Sequence, residues 1–174
     1  KSANTAGSVS YAPAGAEHNV YFYRVTAPFA VERPVVINEV MASNTSTAAD
    51  ENGEYEDWIE LYNLTNEAVD LSGFYLSDNP STLDKWAFDE GTVIPANGYL
   101  ILWADEEGSQ GPLHTNFKLS ASGESLSLAD SQKRLVDTLN FKQQITDMGY
   151  ARVPNGTGPF VIQAPTFGAN NSTV

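Results

Sequence analysis

The sequence contains no cysteine, and its 174 residues include only two histidines, two methionines and nine basic residues. The absence of cysteine excludes disulfides, thiolate zinc sites and cysteine nucleophiles. Against the nine Lys and Arg stand 22 Asp and Glu, which gives a formal net charge of −13. Nucleic acids and anionic membrane surfaces attract basic proteins, so this charge argues against both as partners.

Long apolar runs are also missing, since no stretch of 18 apolar residues occurs, and we therefore expect no insertion into a membrane. The chain starts at Lys1 with small polar residues and without a signal peptide, which indicates a cut inside a longer protein. The lack of cysteine is compatible both with a reducing cytosol and with bacterial secretion.

What the sequence does contain is a series of short apolar, aromatic and β-branched runs, separated by turn-forming Asn, Asp, Gly and Pro. Strands of four to seven residues with a turn about every ten residues are typical of β-sandwiches and β-barrels. No segment combines a helical apolar period with a capping residue. We therefore predict an all-β domain with strands at Val20–Val25, Val35–Met41, Trp58–Asn63, Gly73–Ser77, Tyr99–Ala104, Ser125–Ala129, Leu135–Phe141, Tyr150–Val153 and Phe160–Gln163.

Two prolines, Pro28 and Pro34, separate the first of these strands from the others. A single strand does not fold alone, so Val20–Val25 either pairs with the main sheet or belongs to a preceding domain. We predict an N-terminal arm, or a remnant of such a domain, over residues 1–33 and a β-sandwich over residues 34–174.

From Val35 to Asn171, the order of eight short motifs resembles that of the lamin tail domain, in its bacterial form rather than its nuclear one. Each motif is weak by itself, and the resemblance rests on their order. The motifs are VINEVMASN (36–44), DWIELYN (57–63), VDLSGFYLSD (69–78), IPANGY (94–99), HTNFKL (114–119), GESL (123–126), VD (136–137) and PTFGAN (165–170).

This resemblance implies an immunoglobulin-like β-sandwich with Greek-key connections. Bacterial domains of this kind resemble accessory modules of larger secreted or cell-surface proteins. The resemblance therefore implies an extracellular or cell-surface location in a bacterium, neighbouring domains of the parent protein as partners, and a non-catalytic role in adhesion, spacing or protein interactions. It offers no catalytic residues and no agreed ligand that could be transferred to this sequence.

The sharpest local feature is the acidic segment 50–57, which has five carboxylates in eight residues. Ca²⁺ prefers oxygen ligands, and Asp50, Asn52, Glu54 and Asp57 could supply them. The spacing is not that of an EF-hand, because Gly53 stands at the fourth position of the segment and the EF-hand loop requires glycine at the sixth. Two interpretations stay open, a calcium site formed by these four residues and a solvated acidic loop without a cofactor.

Glu39 and Glu60 differ from these acids because each lies in the middle of an apolar strand. The strand that carries Glu60 is apolar on both faces, which predicts a strand covered on both sides. A buried charge must be paired or hydrogen-bonded, so we expect these carboxylates to bind loop N–H groups or to pair with Arg152. A metal site and a hydrolase acid/base pair are the less favoured interpretations.

Other chemistry has little support. Neither His18 nor His114 has a second histidine at a zinc-binding spacing, and His114 precedes Thr-Asn, which predicts hydrogen bonding within a turn. No serine lies in a Gly-x-Ser-x-Gly motif, and no phosphate-binding glycine loop occurs. We therefore expect no enzyme.

The aromatic residues leave one alternative function open. Trp58 and Trp103 lie in strands that we expect to be buried, which leaves Trp86 as the candidate for an exposed ring that stacks on a sugar. Such a face would make the protein a carbohydrate-binding module, with or without calcium. Our first prediction remains the accessory interaction module, and a hydrolase that uses Glu39 and Glu60 ranks last.

Overall fold

The computed structural model describes residues 33–171, which form eleven β-strands and no helix. In chain order the strands are β1 (Val35–Met41), β2 (Trp58–Asn63), β3 (Val69–Asp70), β4 (Tyr75–Ser77), β5 (Trp86–Ala87), β6 (Val93–Ile94), β7 (Tyr99–Trp103), β8 (Gly123–Ala129), β9 (Leu135–Lys142), β10 (Gly149–Arg152) and β11 (Phe160–Gln163). Residues 33–171 accordingly include no helix that is long and apolar enough to cross a membrane. The predicted strand Val20–Val25 and most of the predicted arm lie outside the described residues.

The strands form two main antiparallel sheets. One has five strands in the order β11-β10-β1-β2-β7, and the other has four in the order β5-β4-β8-β9, while β3 and β6 form a separate pair. Strands that are distant in sequence, such as β1 and β10, are neighbours in a sheet. This architecture is an immunoglobulin-like β-sandwich, and it confirms the predicted fold class.

The core lies between the two sheets, because alternate residues of each strand point to the same side. The five-stranded sheet contributes Ile59, Leu61 and Leu102, and the four-stranded sheet contributes Leu126 and Leu128, all fully buried within one apolar cluster. Burying such side chains contributes about 1.5–3 kcal/mol each.

The opposite face of the five-stranded sheet, which we call the outer face, is also covered. Met41, Trp58 and Trp103 form a second buried cluster there. The ring of Phe167 lies on both tryptophans, with ring centroids 5.2 Å from Trp58 and 5.7 Å from Trp103. Five of the six residues of β2 are buried, so the prediction of a strand covered on both sides is confirmed.

Candidate functional site

Glu39 and Glu60 face each other on the outer face, as register partners on β1 and β2. Both are fully buried. Glu60 accepts hydrogen bonds from the Asn38 side-chain amide and from the backbone N–H of Gly168, each at 2.7 Å. Glu39 accepts hydrogen bonds from the backbone N–H and the hydroxyl of Thr166. The two carboxylates thus hold residues 164–171, which we call the C-terminal segment, against the sheet.

The environment of this pair favours protonated carboxyls. Burial raises the pKa of Glu60 to about 7, although the hydrogen bonds from Asn38 and Gly168 oppose the rise, and the nearby Glu39 adds to it. Burial also raises the pKa of Glu39, against the hydrogen bonds from Thr166. Because both carboxyls are fully buried and bonded to protein groups, neither reaches a substrate in this structure. Their contacts correspond to the interpretation that they bind loop N–H groups.

Arg152 lies elsewhere and pairs with a different carboxylate. Its Nη2 lies 3.0 Å from Oδ2 of Asp137, on the opposite sheet, and its Nε donates to the carbonyl of Ile37 at 2.8 Å. The guanidinium also lies 4.4 Å from the ring centre of Phe160. Arg152 therefore joins the two sheets, and the hydrogen bonds found for Glu39 and Glu60 come from other residues.

The four predicted calcium ligands have separate roles. Oδ1 of Asp50 accepts hydrogen bonds from the backbone N–H groups of Asn52 and Glu54, each at 2.8 Å, and so forms the turn of the acidic segment. The side chains of Asn52 and Glu54 both contact Gln110. Asp57 is half-buried, and burial raises its pKa to about 7. Among the described residues, Asp50 forms no cation-binding group with Glu54 or Asp57.

Asp50 is instead grouped with Asp105 and His114, with ligand atoms that all lie within 4.8 Å of one another. Nδ1 of His114 contacts Oδ2 of Asp105, and its Nε2 lies 3.1 Å from Oε1 of Glu51. Burial opposes a charge on the imidazole, but the hydrogen bonds to Asp105 and Glu51 outweigh it and raise the pKa of His114 above its ordinary value.

The sequence does not predict this group, although the HTNFKL motif contains one of its members, His114. The acids at 105–107 follow β7 after one intervening residue, and His114 lies close to them because its backbone forms a parallel bridge with Trp103. A run of three acids at the end of a buried strand was a usable signal. The proximity of Asp105 to Asp50 could not be predicted from the sequence, because 55 residues separate the two positions.

The two acidic segments, 50–57 and 105–107, meet at one end of the sandwich, which we call the acidic end. They carry eight carboxylates in total. Burial raises the pKa of Glu56, and Asp105, Glu107 and Glu54 raise it further, against the attraction of Lys118. The neighbouring carboxylates therefore oppose the ionisation of Glu56.

Trp86 occupies an edge strand of the four-stranded sheet and is half-buried. Its ring packs edge-on against Phe88, with centroids 4.8 Å apart, and contacts the main core. Much of its surface is therefore used in packing, which leaves a smaller stacking area than that of the exposed ring predicted from the sequence.

A β-sandwich of two antiparallel sheets, with its buried glutamates bonded to the C-terminal segment, belongs to the class of immunoglobulin-like domains. The family model described as Lamin Tail Domain matches residues 29–143, which is more than half of the chain. The chain belongs to this family, and the predicted resemblance is confirmed. No curated protein matches the sequence. Strands β10 and β11 lie beyond the matched residues, although they complete the five-stranded sheet.

Proposed function

We propose that this domain is an accessory module of a larger secreted or cell-surface protein, and that it binds a protein partner through its acidic end. The observation that carries the proposal is the meeting of two acidic segments, 50–57 and 105–107, at one place on a non-catalytic fold. Membership of an immunoglobulin-like family without enzymatic function supports the accessory role.

The charge of the domain supports a cationic partner. Residues 33–171 carry 20 of the 22 acidic residues but only seven of the nine basic ones. Six of these seven cations already lie within 4.0 Å of a carboxylate of the same domain: Arg33, Lys85, Lys118, Lys133, Arg134 and Arg152. Unpaired carboxylates therefore dominate the surface, and a surface of opposite sign would bind with a faster association rate.

An exposed aromatic side chain stands within the acidic end. Tyr55 is 49% exposed and lies between Glu54 and Glu56. Tyrosine is enriched in protein interfaces because it combines a large apolar ring with a hydroxyl group. Tyr55 would thus be the apolar contact of a mainly electrostatic interface.

A site-specific crosslink tests the interface. A photo-crosslinking phenylalanine derivative replaces Tyr55 in the parent protein on intact cells, and the same derivative replaces Leu135, which is 45% exposed in β9, as the matched control. We expect crosslinks to a discrete protein from position 55, few from position 135, and a loss of the former at about 0.5 M salt because screening weakens charge pairs. Equal crosslinking from both positions, or no effect of salt, would contradict the proposal.

The proposed location has its own test. An antibody against the folded domain should label intact cells as strongly as permeabilised cells. Labelling that requires permeabilisation would rule out a surface location. The crosslinking experiment tests the acidic end independently of this result.

A further inference from the structure

Asp50 holds a carboxylate oxygen that has no partner. Its side chain is 9% exposed, and Oδ1 accepts two backbone hydrogen bonds. Oδ2 is buried and accepts no hydrogen bond from the described residues. A buried oxygen of an ionised group without a donor is costly, and a cation satisfies such an oxygen.

The surroundings of Asp50 supply further metal ligands. Asp105 is fully buried and His114 is 1% exposed, and both present a ligand atom within 4.8 Å of that of Asp50. Glu51 stands at the rim of the group, with Oε1 3.1 Å from Nε2 of His114 and its side chain 59% exposed. Ligand atoms about 2.1 Å from a tetrahedral zinc ion are roughly 3.4 Å apart, so ligand atoms that lie within 4.8 Å of one another need to move closer by no more than about 1.4 Å to bind one ion.

We propose that Asp50, Asp105 and His114 bind one divalent transition-metal ion of the zinc type, while Glu51 bonds to the other nitrogen of the imidazole and orients the ring. The imidazole decides the class of ion, because zinc and its neighbours accept nitrogen ligands whereas Ca²⁺ takes oxygen ligands. The group lacks a thiolate, which excludes a cysteine-type structural zinc site and leaves a site of one nitrogen and two carboxylate ligands, with the remaining position open to water.

The ligands are already oriented by groups behind them. The turn N–H groups of Asn52 and Glu54 fix the carboxylate plane of Asp50, and the N–H of Glu107 donates to Oδ1 of Asp105 at 2.9 Å. Such hydrogen bonds to the outer side of a ligand are usual in metal sites, where they hold the ligand in place.

A glycine leaves room at the rim. A Cβ atom on Gly111 would lie 3.4 Å from both Oε1 of Glu51 and Cδ2 of His114. A side chain at this position would therefore touch the imidazole edge and the Glu51 carboxylate, and glycine leaves both uncrowded.

This site goes beyond the proposed interaction role, because an ion could bind here with or without a protein partner. Its test therefore uses the isolated 174-residue chain without an affinity tag. The chain is treated with a chelator, dialysed and titrated with Zn²⁺ in a calorimeter, with Ca²⁺ and Mg²⁺ in parallel titrations.

Asp50→Asn is the decisive variant. The asparagine retains an oxygen for the two turn N–H groups but replaces Oδ2 by an amide nitrogen, which does not bind a cation. Glu54→Gln is the matched control, because it removes one charge from the same segment at a residue outside the proposed site. Circular dichroism and thermal melting of the metal-free variants establish that both are folded.

We expect one Zn²⁺ per chain, weaker binding in Asp50→Asn by at least about 10–100-fold, and unchanged binding in Glu54→Gln. Co²⁺ should give the visible absorption of a low-symmetry site in the parent chain and in Glu54→Gln but not in Asp50→Asn. The proposal fails if Zn²⁺ does not bind, if Asp50→Asn binds it as tightly as the parent, or if Ca²⁺ binds and Zn²⁺ does not. Equal weakening in both variants would also overturn it, since the whole acidic segment would then be responsible.

Discussion

At the scale of single residues, Glu60 shows how a charged side chain becomes part of a core. Its two oxygens accept hydrogen bonds from Asn38 and Gly168, yet burial and the nearby Glu39 raise its pKa to about 7. The folded protein therefore retains a proton at this site at pH values where an unfolded chain, with the ordinary pKa of 4.5, has released it.

The sign of the pH dependence follows from this difference. Between pH 4.5 and pH 7 the folded state binds more protons than the unfolded state, so the free energy of unfolding falls as pH rises through this window. One carboxyl gives a slope of at most about 1.4 kcal/mol per pH unit. We expect urea unfolding to show a loss of about 2–3 kcal/mol between pH 5 and pH 7 from Glu60.

Replacing Glu60 by glutamine removes this titration, so the stability of Glu60→Gln should depend less on pH over the same window. Asp57, whose pKa burial also raises to about 7, adds a slope of the same sign, and some pH dependence should therefore remain. Glu67→Gln, at an exposed position, serves as the control. If the parent and Glu60→Gln had parallel stability profiles from pH 5 to pH 8, the raised pKa of Glu60 would be wrong.

The sequence predicts the burial of Glu39 and Glu60 but not their hydrogen-bond partners. The burial of Glu39 and Glu60 was predictable because their strand neighbours are apolar on both faces. Their partners were not, because Thr166 lies 127 residues from Glu39 and Gly168 lies 108 residues from Glu60. No periodic pattern encodes a contact between a strand and a distant loop.

At the scale of strands, the two sheets are joined by a buried ion pair. Asp137 on β9 is 2% exposed and accepts hydrogen bonds from the backbone N–H of Ile37 on β1, at 3.0 Å, and from Arg152 on β10. One carboxylate thus fixes two strands of the opposite sheet. Removing one partner of a buried pair leaves the other charge uncompensated, which is more costly than losing an exposed pair.

We expect Asp137→Asn to lower the free energy of unfolding by about 3–5 kcal/mol. The asparagine side chain carries no charge, and its NH₂ group would face the N–H groups of Ile37 and Arg152 that now donate to the carboxylate. Asp70→Asn, at an exposed position on β3, is the matched control and should change stability by less than about 0.5 kcal/mol. Urea denaturation measures both values, and similar losses in the two variants would show that the ion pair between the sheets has no special role.

The C-terminal segment also stabilises the five-stranded sheet, because it covers the outer face although it is not a strand. Phe167 packs on Trp58 and Trp103 although it is itself 40% exposed. The tryptophans, being almost completely buried, depend on this cover to exclude water.

Phe167→Ala should therefore expose the indole rings. We expect a red shift of tryptophan fluorescence and a loss of about 1–3 kcal/mol, less than for a fully buried phenylalanine. Ile145→Ala removes a side chain that is 55% exposed and should leave the emission spectrum unchanged. A Phe167→Ala protein with the emission and stability of the parent would show that the segment is not held by this contact.

At the scale of the whole molecule, the sandwich was predictable because eight of its strands carry a clear apolar pattern. The very short strands β3 and β6 were not, since two residues cannot show alternation. The cation-binding group was not predictable either, because the parallel bridge between Trp103 and His114 and the turn at Asp50 bring its members together only in the folded chain.

Net charge is the remaining property at this scale. Residues 33–171 combine seven basic and 20 acidic residues, and most of the cations are already paired, so unpaired carboxylates repel one another across the surface and especially at the acidic end. A large net charge destabilises a compact state by self-repulsion, and salt screens it over a Debye length of about 10 Å at 0.1 M.

We expect the melting temperature at pH 8 to rise when NaCl increases from about 10 mM to about 0.5 M, because screening of the excess repulsion outweighs the weakening of exposed ion pairs, which contribute about 0–1 kcal/mol each. Glu54→Lys should raise the melting temperature at low salt and reduce its dependence on NaCl, with Glu54→Gln between the two. The opposite order, or a melting temperature that falls with salt in the parent, would mean that the ion pairs outweigh the repulsion. Repulsion among the carboxylates of the acidic end would then not destabilise the fold, and a cationic partner would not stabilise it by neutralising that charge.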